Sequence, residues 1–253
     1  MLQNAQIAVV VPAYNEALLI GRTLRSIPRF VDRVLVVDDG SDDLTAAHVL
    51  SAADPRVELL RHGENRGVGA ALKTGYQRAL QVGADVVVVM AGDDQMHPDD
   101  LRALLEPVLR GDTDYAKGDR LSHPEARTRM PIARYVGNHL LSALTRLVTG
   151  IPIRDSQCGY TAITRLALER LPLRSLWNGY GYPNDMLGML RITGAIVRDV
   201  VVRPVYDSEK SGIGLRHALL VIPYVLLRVL ARRLPGAVGR APSLLAPFPL
   251  EPE

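Results

Sequence analysis

The sequence predicts an α/β fold in which a mostly parallel sheet is flanked by helices, and two patterns support this prediction. Short apolar runs rich in β-branched residues alternate with amphipathic stretches through roughly the first 100 residues. This alternation is typical of parallel strands joined by crossover helices. In addition, an apolar run at 87–90 is closely followed by Asp93, Asp94 and Gln95. Such polar groups are typical of the strand ends where open α/β sheets bind ligands.

The elements of the first half follow from these patterns in order. Apolar runs of strand length predict strands at 6–11, 33–37, 57–60 and 85–90. Helices are predicted after these strands, at 17–27, at 44–53, from a glycine-rich turn at 65–69 to about residue 82, and at 98–110. Within the first helix, Leu18, Leu24 and Ile27 recur at helical spacing. Pro98 falls in the first turn of the last of these helices, where proline is well tolerated.

The second half of the chain has a less regular pattern. Strands are predicted at 115–120, 158–164 and 196–204, and helices at 134–149, 166–170, 184–193 and 214–233. The tail carries five prolines and is expected to be extended or disordered. We therefore predict one domain at 1–213, an amphipathic helix at 214–234 and a proline-rich tail at 235–253.

The composition narrows the functional classes. Hydrophobic residues make up 47% of the 253 residues, which is enough for the core of one large domain. The 30 Lys and Arg residues nearly balance the 27 Asp and Glu residues, and the net charge of +3 does not indicate a nucleic-acid partner. The single cysteine, Cys158, excludes an internal disulfide and is consistent with a reducing cytoplasm.

No segment of the sequence is expected to cross a membrane or to act as a signal peptide. The longest apolar run, 218–227, is shorter than the roughly 20 residues that a spanning helix needs. Arginines flank this run, which suits a helix lying on an anionic membrane, and a core or dimer helix is an equal alternative. For the predicted helix at 134–149 two placements likewise stay open. Its apolar side faces either a bound ligand or the core.

Polar clusters follow the predicted strands at four places. They comprise Pro12, Tyr14, Asn15 and Glu16; Asp38, Asp39, Gly40 and Ser41; Asn65, Arg66 and Gly67; and Asp93, Asp94 and Gln95. Any one cluster could be an ordinary turn, because Asp, Asn and Gly favour turns. Four in order are expected to converge on one cleft, since parallel strands end at the same sheet edge. Their carboxylate and amide oxygens suit a hard divalent cation such as Mg²⁺ or Mn²⁺.

Together these motifs resemble those of a known enzyme family. The segments VVVPAYNE, VVDDGSDD, ENRGVGAALKTGY, GDDQMHPDDL and RDSQCGYTA, in this order, are similar to the family 2 glycosyltransferases with the GT-A fold. Within the family, the chain is most similar to the dolichol- and polyprenol-phosphate sugar synthases, over residues 7–211. The resemblance implies an inverting, metal-dependent enzyme that moves a hexose from a UDP- or GDP-sugar to a polyprenyl phosphate.

The resemblance also implies donor-side roles for residues at matching positions. The residues expected to hold the nucleotide-sugar are Pro12, Tyr14, Glu16, Asp38, Asp39, Arg66, Gly67, Lys73, Asp94 and, in a late loop, Lys210. Asp93 and Gln95 are expected to ligate Mg²⁺ or Mn²⁺, which would neutralise the departing nucleoside diphosphate. The family's metal motif commonly begins with an aspartate at the position of Ala91, so one ligand is missing. Either Asp94 or water would take its place.

On the acceptor side, the resemblance implies that Arg120 meets a phosphate, for which a planar guanidinium is well suited. A surface ion pair is the alternative role for Arg120. Asp185 occupies the position at which relatives that glycosylate hydroxyl groups keep a general base. A hydroxyl acceptor gains from such a base, whereas a lipid phosphate is already an anion. Asp93, Arg120 and Asp185 are therefore the predicted catalytic residues.

Two other functions stay open on the sequence alone. One keeps the donor chemistry and transfers the sugar to a hydroxyl of a glycan or small molecule. The other is a non-catalytic nucleotide-sugar-binding or membrane-scaffold protein, which the alanine in the metal motif would favour. The lipid acceptor predicts a cytoplasmic protein that is peripheral on the cytoplasmic face of the membrane. The sequence chooses neither the sugar nor UDP over GDP, and it leaves the oligomeric state open.

Overall fold

The computed structural model describes Leu2, residues 4–206 and residues 220–233. Its first half confirms the predicted alternation of strands and helices. The strands are β1 (Ile7–Ala13), β2 (Arg33–Asp38), β3 (Val57–Arg61) and β4 (Val86–Val89). The helices are α1 (Ile20–Ser26), α2 (Thr45–Ser51), α3 (Val68–Gln81) and α4 (Asp100–Leu109).

The second half contains shorter strands and several packed helices. The strands are β5 (Tyr115–Asp119), β6 (Thr161–Thr164) and β7 (Val197–Val201). The helices are α5 (Ala126–Arg129), α6 (Ile132–Thr149), α7 (Arg165–Arg170), α8 (Tyr182–Ile192) and α9 (Ile222–Arg232). Helix α5 was not predicted, and β6 begins three residues later than the sequence suggests, at Thr161 rather than at 158.

Helix α1 also begins later than predicted, at Ile20 rather than at residue 17. The reason is a pair of hydrogen bonds from distant side chains. The backbone N–H of Glu16 donates to Thr45 Oγ1 at 2.8 Å, and that of Ala17 donates to Asp43 Oδ2 at 3.1 Å. These residues are therefore held in a turn against the β2–α2 loop instead of forming the first turn of the helix.

All the named strands form one sheet in the order β3-β2-β1-β4-β6-β5-β7. Strand β1 pairs in parallel with β2 and β4, so Val10 lies opposite Leu35 on one side and Val89 on the other. Strand β6 is antiparallel to both β4 and β5, whereas β5 and β7 are parallel. The first four strands consequently end at the same edge of the sheet, which is the arrangement that brings their turns together.

Apolar side chains cover both faces of the sheet. Along β1, Ala8 and Val10 belong to one buried cluster and Val9 and Val11 to the other, as the two-residue period of a strand requires. Helices α3 and α8 contribute to the first cluster, and α1 and α4 contribute to the second. Gly75 allows the close approach of α3, because a Cβ there would lie 2.2 Å from a methyl carbon of Val10.

The C-terminal helix predicted by the sequence is confirmed in its described part, α9. Helix α9 packs on α8, where a Cβ at Gly188 would lie 2.6 Å from both methyl carbons of Val229. Residues 207–219 and 234–253, which include the predicted tail, lie outside the described residues. None of the helices in the described ranges is both long and apolar enough to cross a bilayer.

Candidate active site

The turns that follow β1 and β2 are tied to each other by hydrogen bonds. The backbone N–H of Asn15 donates to Ser41 Oγ at 3.0 Å, and the backbone N–H of Asp42 donates to Asn15 Oδ1 at 3.1 Å. Asn15 has a φ of 55°, a left-handed conformation that asparagine adopts more readily than most residues. Two of the predicted polar clusters therefore form one connected unit.

Asp38 stabilises this unit from inside the fold. Its side chain is fully buried, and Oδ1 accepts a hydrogen bond from the backbone N–H of Ser41 at 2.9 Å. Oδ2 lies 3.0 Å from Nε of Arg61 at the end of β3. Oδ2 is buried and makes this ion pair without a hydrogen bond, whereas Oδ1 is hydrogen-bonded to the turn that it shapes.

Asp39 is buried beside Asp38 and holds the glycine-rich turn. Its two oxygens accept hydrogen bonds from the backbone N–H groups of Arg66, at 3.1 Å, and Gly67, at 2.7 Å. Nδ1 of His62 lies 2.5 Å from Oδ1, and Nε2 of His62 lies 2.9 Å from Thr74 Oγ1. With a proton on Nδ1, the histidine donates to Asp39 and accepts from the threonine hydroxyl. The sequence did not single out His62 or Thr74, although His62 directly follows β3.

The glycine-rich turn packs against the loop that precedes α8. Gly67 has a φ of 91°, and a Cβ there would lie 2.6 Å from the carbonyl oxygen of Asn178. The same oxygen accepts a hydrogen bond from the backbone N–H of Gly69 at 2.5 Å. Nζ of Lys73 donates to Asn178 Oδ1 at 2.5 Å, and burial lowers the pKa of this lysine. Asn178 had no local sequence signal, because its partners lie about a hundred positions away in the chain.

An open cavity of about 460 Å³ lies beside this turn. Its lining includes Arg66 and Lys73, which were predicted donor-side residues, together with Arg174, His62 and Glu64. Two arginines and a lysine outnumber the one carboxylate, Glu64, on this concave surface, which suits an anionic ligand such as a phosphate.

The turn after β4 brings Asp93 to the same edge of the sheet. It is joined to β1 because the backbone N–H of Gly92 donates to the carbonyl of Pro12 at 3.1 Å. Asp93 Oδ1 accepts a hydrogen bond from the backbone N–H of Gln95 at 3.1 Å. The pKa of Glu16 is raised to about 7, mainly by burial and further by nearby carboxylates, of which Asp93 acts most strongly. Glu16 and Asp93 are therefore close enough to repel each other.

Asp94 and Ala91 complete this turn. Asp94 has a φ of 60°, and its Oδ2 lies 3.6 Å from Nε of Arg22. The backbone N–H of Ala91 donates to the sulfur of Met96 at 3.3 Å. Asp94, one of the two candidates to replace the missing ligand, is thus paired with a largely exposed arginine in this structure.

The donor set at this turn fits a divalent cation only in part. In the described portion of the chain, no group of three His, Cys, Asp or Glu residues is placed to hold a metal ion. The side-chain oxygens of Asp93 and Gln95 are nevertheless hard ligands, and a cation would relieve the repulsion that Glu16 experiences. Mg²⁺ commonly completes its coordination with water and substrate phosphates. These residues therefore fit a cation that is bound together with a diphosphate.

Arg120, at the end of β5, is held by a buried carboxylate. Its Nε donates to Asp155 Oδ2 at 2.8 Å and its Nη2 to Oδ1 at 3.2 Å, and Nη1 donates to the Tyr206 hydroxyl at 3.1 Å. Burial opposes ionisation of Asp155, but the arginine outweighs it and lowers the pKa of that carboxyl. The ion pair considered as an alternative role is thus present, although it is buried rather than on the surface. The three side-chain hydrogen bonds of Arg120 use three of the five guanidinium N–H groups, which leaves one on each terminal nitrogen for a phosphate contact.

Asp185 is fully buried in the first turn of α8. Its Oδ1 accepts a hydrogen bond from Nη1 of Arg232 at 2.7 Å, and Oδ2 accepts one from the backbone N–H of Trp177 at 2.8 Å. Oδ2 also lies 3.9 Å from Nη1 of Arg228. Burial raises the pKa of Asp185, and the two arginines oppose the rise. This placement, inside an ion-pair network with α9, does not favour the predicted role of general base.

Tyr182 connects the donor side to the acceptor side, and the sequence did not identify it. Burial raises the pKa of its hydroxyl, the Asp93 carboxylate raises it further, and the Arg120 guanidinium lowers it. The hydroxyl lies 3.0 Å from the position of a Cβ at Gly159, in the loop after Asp155. Tyr182 is therefore within electrostatic reach of Asp93 and Arg120, two of the three predicted catalytic residues.

The structure brings together most of the predicted donor-side residues and separates the others. The residues at the shared edge, or on the turns tied to it, are Pro12, Tyr14, Glu16, Asp38, Asp39, Arg66, Gly67, Lys73, Asp93, Asp94 and Gln95. Arg120 and Asp185 lie on other elements with their own charged partners. Lys210 lies outside the described residues.

Sequence comparison supports this grouping of motifs. A family model described as Glycosyl transferase family 2 matches residues 8–171, which span β1 to the end of α7. The matched region contains each of the four polar clusters and the Asp155 loop.

Two named relatives align over most of the chain. The chain is 28% identical over 223 residues to the UDP-N-acetylglucosamine–dolichyl-phosphate N-acetylglucosaminyltransferase of Methanococcus voltae, and the alignment covers 82% of the chain and 89% of that protein. It is 32% identical over 226 residues to the polyprenol monophosphomannose synthase of Mycolicibacterium smegmatis, with coverage of 85% and 84%.

The fold is similar to that of a solved glycosyltransferase. Glucosyl-3-phosphoglycerate synthase from Mycobacterium tuberculosis, in complex with UDP, aligns with a TM-score of 0.69 at 23% identity, covering 90% of the chain and 80% of that structure. The same synthase with Mn²⁺, UDP and glucosyl-3-phosphoglycerate aligns with a TM-score of 0.64 at 23% identity, with coverage of 90% and 78%. The predicted GT-A fold is thereby confirmed.

Proposed function

The chain belongs to glycosyl transferase family 2, and on this premise we propose that it transfers a hexose from a UDP- or GDP-sugar to a polyprenyl phosphate. Family membership makes it a glycosyltransferase. The names of the relatives from Methanococcus voltae and Mycolicibacterium smegmatis refer to dolichyl phosphate and polyprenol, and this supports a lipid-phosphate acceptor.

The observation that carries the proposal is that the turns after β1, β2 and β4 lie at one edge of the sheet and are joined by hydrogen bonds. A carboxylate has about four lone-pair sites. His62, Arg66 and Gly67 each direct a donor at Asp39, which leaves one site on this buried carboxylate. That site suits the ring N–H of uracil or guanine. The adjacent cations Arg66 and Lys73 would then lie near the phosphates.

Asp93 and Gln95 are the residues that would hold Mg²⁺ or Mn²⁺. When bound, the ion would stabilise the negative charge that develops on the departing nucleoside diphosphate. The protein itself orients Asp93 through the backbone of Gln95 and through the link from Gly92 to Pro12.

A lipid-phosphate acceptor agrees with the placement of Asp185. A phosphate oxygen already carries negative charge and can attack without losing a proton to a base. The reaction forms a bond between this oxygen and the anomeric carbon, breaks the bond from that carbon to the nucleoside diphosphate, and inverts the anomeric configuration. Asp185, buried against Arg232, has no part in these steps.

The proposal is tested by incubating the full chain with a panel of UDP- and GDP-sugars, Mn²⁺ and polyprenyl phosphate. We expect one donor to give nucleoside diphosphate and lipid-linked sugar in equal amounts. Absence of turnover with every donor, from protein shown to be folded, would reject the proposal. Nucleotide binding that needs no metal and yields no product would instead favour the non-catalytic alternative.

The lipid acceptor also suggests where the protein acts. We place it at the cytoplasmic face of the membrane as a peripheral protein, since both nucleotide-sugars and polyprenyl phosphates are accessible there. Fractionation of cells that express the full chain should find it in the membrane fraction, and high salt should release it. A uniformly soluble distribution would contradict this location.

A further inference from the structure

Helix α6 turns its apolar face toward the solvent, unlike an ordinary surface helix. Its outward face carries Ile132, Val136, Leu140, Leu144 and Leu147, whose side chains are 81, 60, 62, 39 and 78% exposed. A surface helix normally turns such a stripe toward the core. Single exposed leucines are common, but five at intervals of three or four positions form a contiguous apolar strip.

The fully buried side chains of α6 are those of three hydroxyl residues, which are hydrogen-bonded inside the fold. Ser142, Thr145 and Thr149 are all 0% exposed. Ser142 Oγ accepts a hydrogen bond from the backbone N–H of Ser156 at 2.9 Å, and Thr145 Oγ1 donates to Asn184 Oδ1 at 2.8 Å. Rotating the helix to bury its leucines would break these bonds and bury unsatisfied polar groups. The outward direction of the apolar strip is therefore fixed by the structure.

Helix α9 extends the apolar surface. It packs against α6, and Nη1 of Arg233 donates to the carbonyl of Val148. Just before and along α9, Leu220, Leu227 and Leu230 are 48, 64 and 45% exposed. We call the outward surface formed by these leucines and the α6 strip the α6–α9 face.

The helices α6 and α9 themselves contribute charges of one sign, although Arg228 and Arg232 of α9 are paired with Asp185 of α8, and Arg129 of α5 is paired with Glu125. Residues 132–149 and 220–233 contain arginines and no Asp or Glu. Arg134 and Arg146 lie on α6, and Arg127 and Arg129 lie on the preceding helix α5. An apolar strip bordered by arginines is the pattern of a helix that lies in the interface of an anionic bilayer.

We propose that the α6–α9 face docks the protein on the surface of an anionic lipid bilayer, with α6 lying parallel to the membrane plane. A second copy of the chain fits this face less well. A two-fold interface would set the same arginines against each other, and neither helix supplies an acidic partner. The purpose of this docking rests on the proposed lipid acceptor, whereas the docking itself needs neither donor nor acceptor.

Co-sedimentation with vesicles tests the docking directly. The full chain should bind vesicles of phosphatidylcholine mixed with phosphatidylglycerol, and it should bind phosphatidylcholine alone more weakly. The double variant Leu140→Glu, Leu147→Glu should reduce binding to the mixed vesicles on the order of tenfold or more, because both side chains would carry charge into the interface. A matched control is Leu50→Glu, Leu166→Glu, which changes two leucines that are 72 and 65% exposed on other helices.

Each outcome of this experiment decides the proposal. Loss of binding in the α6 variant, with normal binding of the control and unchanged circular dichroism, supports it. Binding by the α6 variant equal to that of the unchanged chain, or no binding by the unchanged chain, overturns it. Ultracentrifugation showing a dimer that the α6 change dissociates would assign the face to a second copy and also overturn it.

A separate assay distinguishes failure of the docking from failure of the proposed function. With a short, water-soluble prenyl phosphate as acceptor, the α6 variant should turn over at the rate of the unchanged chain. With a long polyprenyl phosphate in vesicles, its rate should fall along with its binding. If vesicle binding behaves as expected and neither acceptor is used, the docking stands and the sugar transfer is rejected.

Discussion

Two buried carboxylates, Asp39 and Asp155, lie in different halves of the sheet and are stabilised in different ways. In the half built on β1 to β4, Asp39 accepts hydrogen bonds from the backbone N–H groups of Arg66 and Gly67. In the half that contains β5 to β7, Asp155 is paired with the guanidinium of Arg120. Backbone donors hold a carboxylate without neutralising it, whereas an arginine pair satisfies its charge.

This difference predicts separate consequences for mutation. In the first half, Asp39 and Asp93 are the carboxylates proposed to meet the ligand, so their loss should lower activity more than stability. Asp38, which is paired with Arg61, is the exception in this half.

In the second half, Asp155 and Asp185 have arginine partners inside the fold, so their loss should lower stability more than activity. Asp199, whose pKa is raised by burial, is the exception in this half. The following four changes test that division, in order of decreasing effect.

The largest effect is expected from Asp93→Asn at the end of β4. Loss of the proposed metal ligand should lower kcat/KM by about 10³-fold, since charge on the leaving diphosphate would no longer be neutralised. The free energy of unfolding should change by less than about 0.5 kcal/mol. Release of nucleoside diphosphate and urea unfolding measure the two quantities. Asp112→Asn, at an exposed aspartate after α4, is the matched control and should leave both unchanged.

Asp185→Asn should lower stability more than activity, which is the opposite of the result expected for Asp93→Asn. The change relieves the cost of burying a carboxylate, which the raised pKa of Asp185 reflects, but it also leaves the buried guanidinium of Arg232 without a charged partner. The second effect is the larger one and should lower the free energy of unfolding by about 3 kcal/mol. Turnover of a lipid phosphate by the folded fraction should stay within about twofold, because no proton has to be removed. Urea unfolding and initial rates below the unfolding transition measure the two effects. Unchanged stability with abolished transfer would instead identify Asp185 as a general base and favour a hydroxyl acceptor.

His62→Ala should weaken binding of the nucleotide-sugar. The change removes the side chain that lies 2.5 Å from Asp39, so the carboxylate and the glycine-rich turn lose a common support. We expect KM for the donor to rise about tenfold with little change in kcat, as befits the loss of one charge-assisted hydrogen bond. His62→Asn restores a donor near the same oxygen and should recover much of the affinity. A fall in kcat with unchanged KM would contradict this role.

The smallest effect concerns Asp199 on β7. Burial raises the pKa of this carboxyl to about 6, from 3.8, and the nearby Asp119 carboxylate adds to the rise. Because the folded state disfavours its ionised form, Asp199 costs stability as the pH rises from about 4 to about 6. Asp199→Asn should therefore stabilise the protein at pH 7 by about 1 kcal/mol, after allowing for partial solvent screening. Below pH 4 the two proteins should unfold at the same urea concentration.

The half of the sheet built on β1 to β4, with the proposed nucleotide-sugar site, could be predicted from the sequence because its signals are local. Each strand is a short apolar run, and each site residue lies within a few positions of a strand end, where the parallel topology collects them. The predicted start of α1 was wrong because the backbone N–H groups of residues 16 and 17 donate hydrogen bonds to the side chains of Thr45 and Asp43, which lie far along the chain. The support of Asp39 by His62 was missed for the same reason.

The half of the fold that contains β5 to β7 and the helices around them was harder to predict, because its polar residues have partners that are distant in the sequence. Nothing near Asp185 in the sequence indicates that Arg228 and Arg232 pair with it. The leucines of α6 showed which residues share a helix face, but periodicity does not reveal whether that face points inward. The direction is set by the buried hydrogen bonds of Ser142 and Thr145, which exist only in the folded chain.

A structure of the full chain with a nucleoside diphosphate and Mn²⁺ tests the central claim most directly, namely that the turns after β1, β2 and β4 form one donor site. The base should lie beside Glu16 and Asp39, and the diphosphate should lie beside Asp93, with the ion between them. A nucleotide bound away from this edge, or an ion that contacts neither Asp93 nor Gln95, would contradict it.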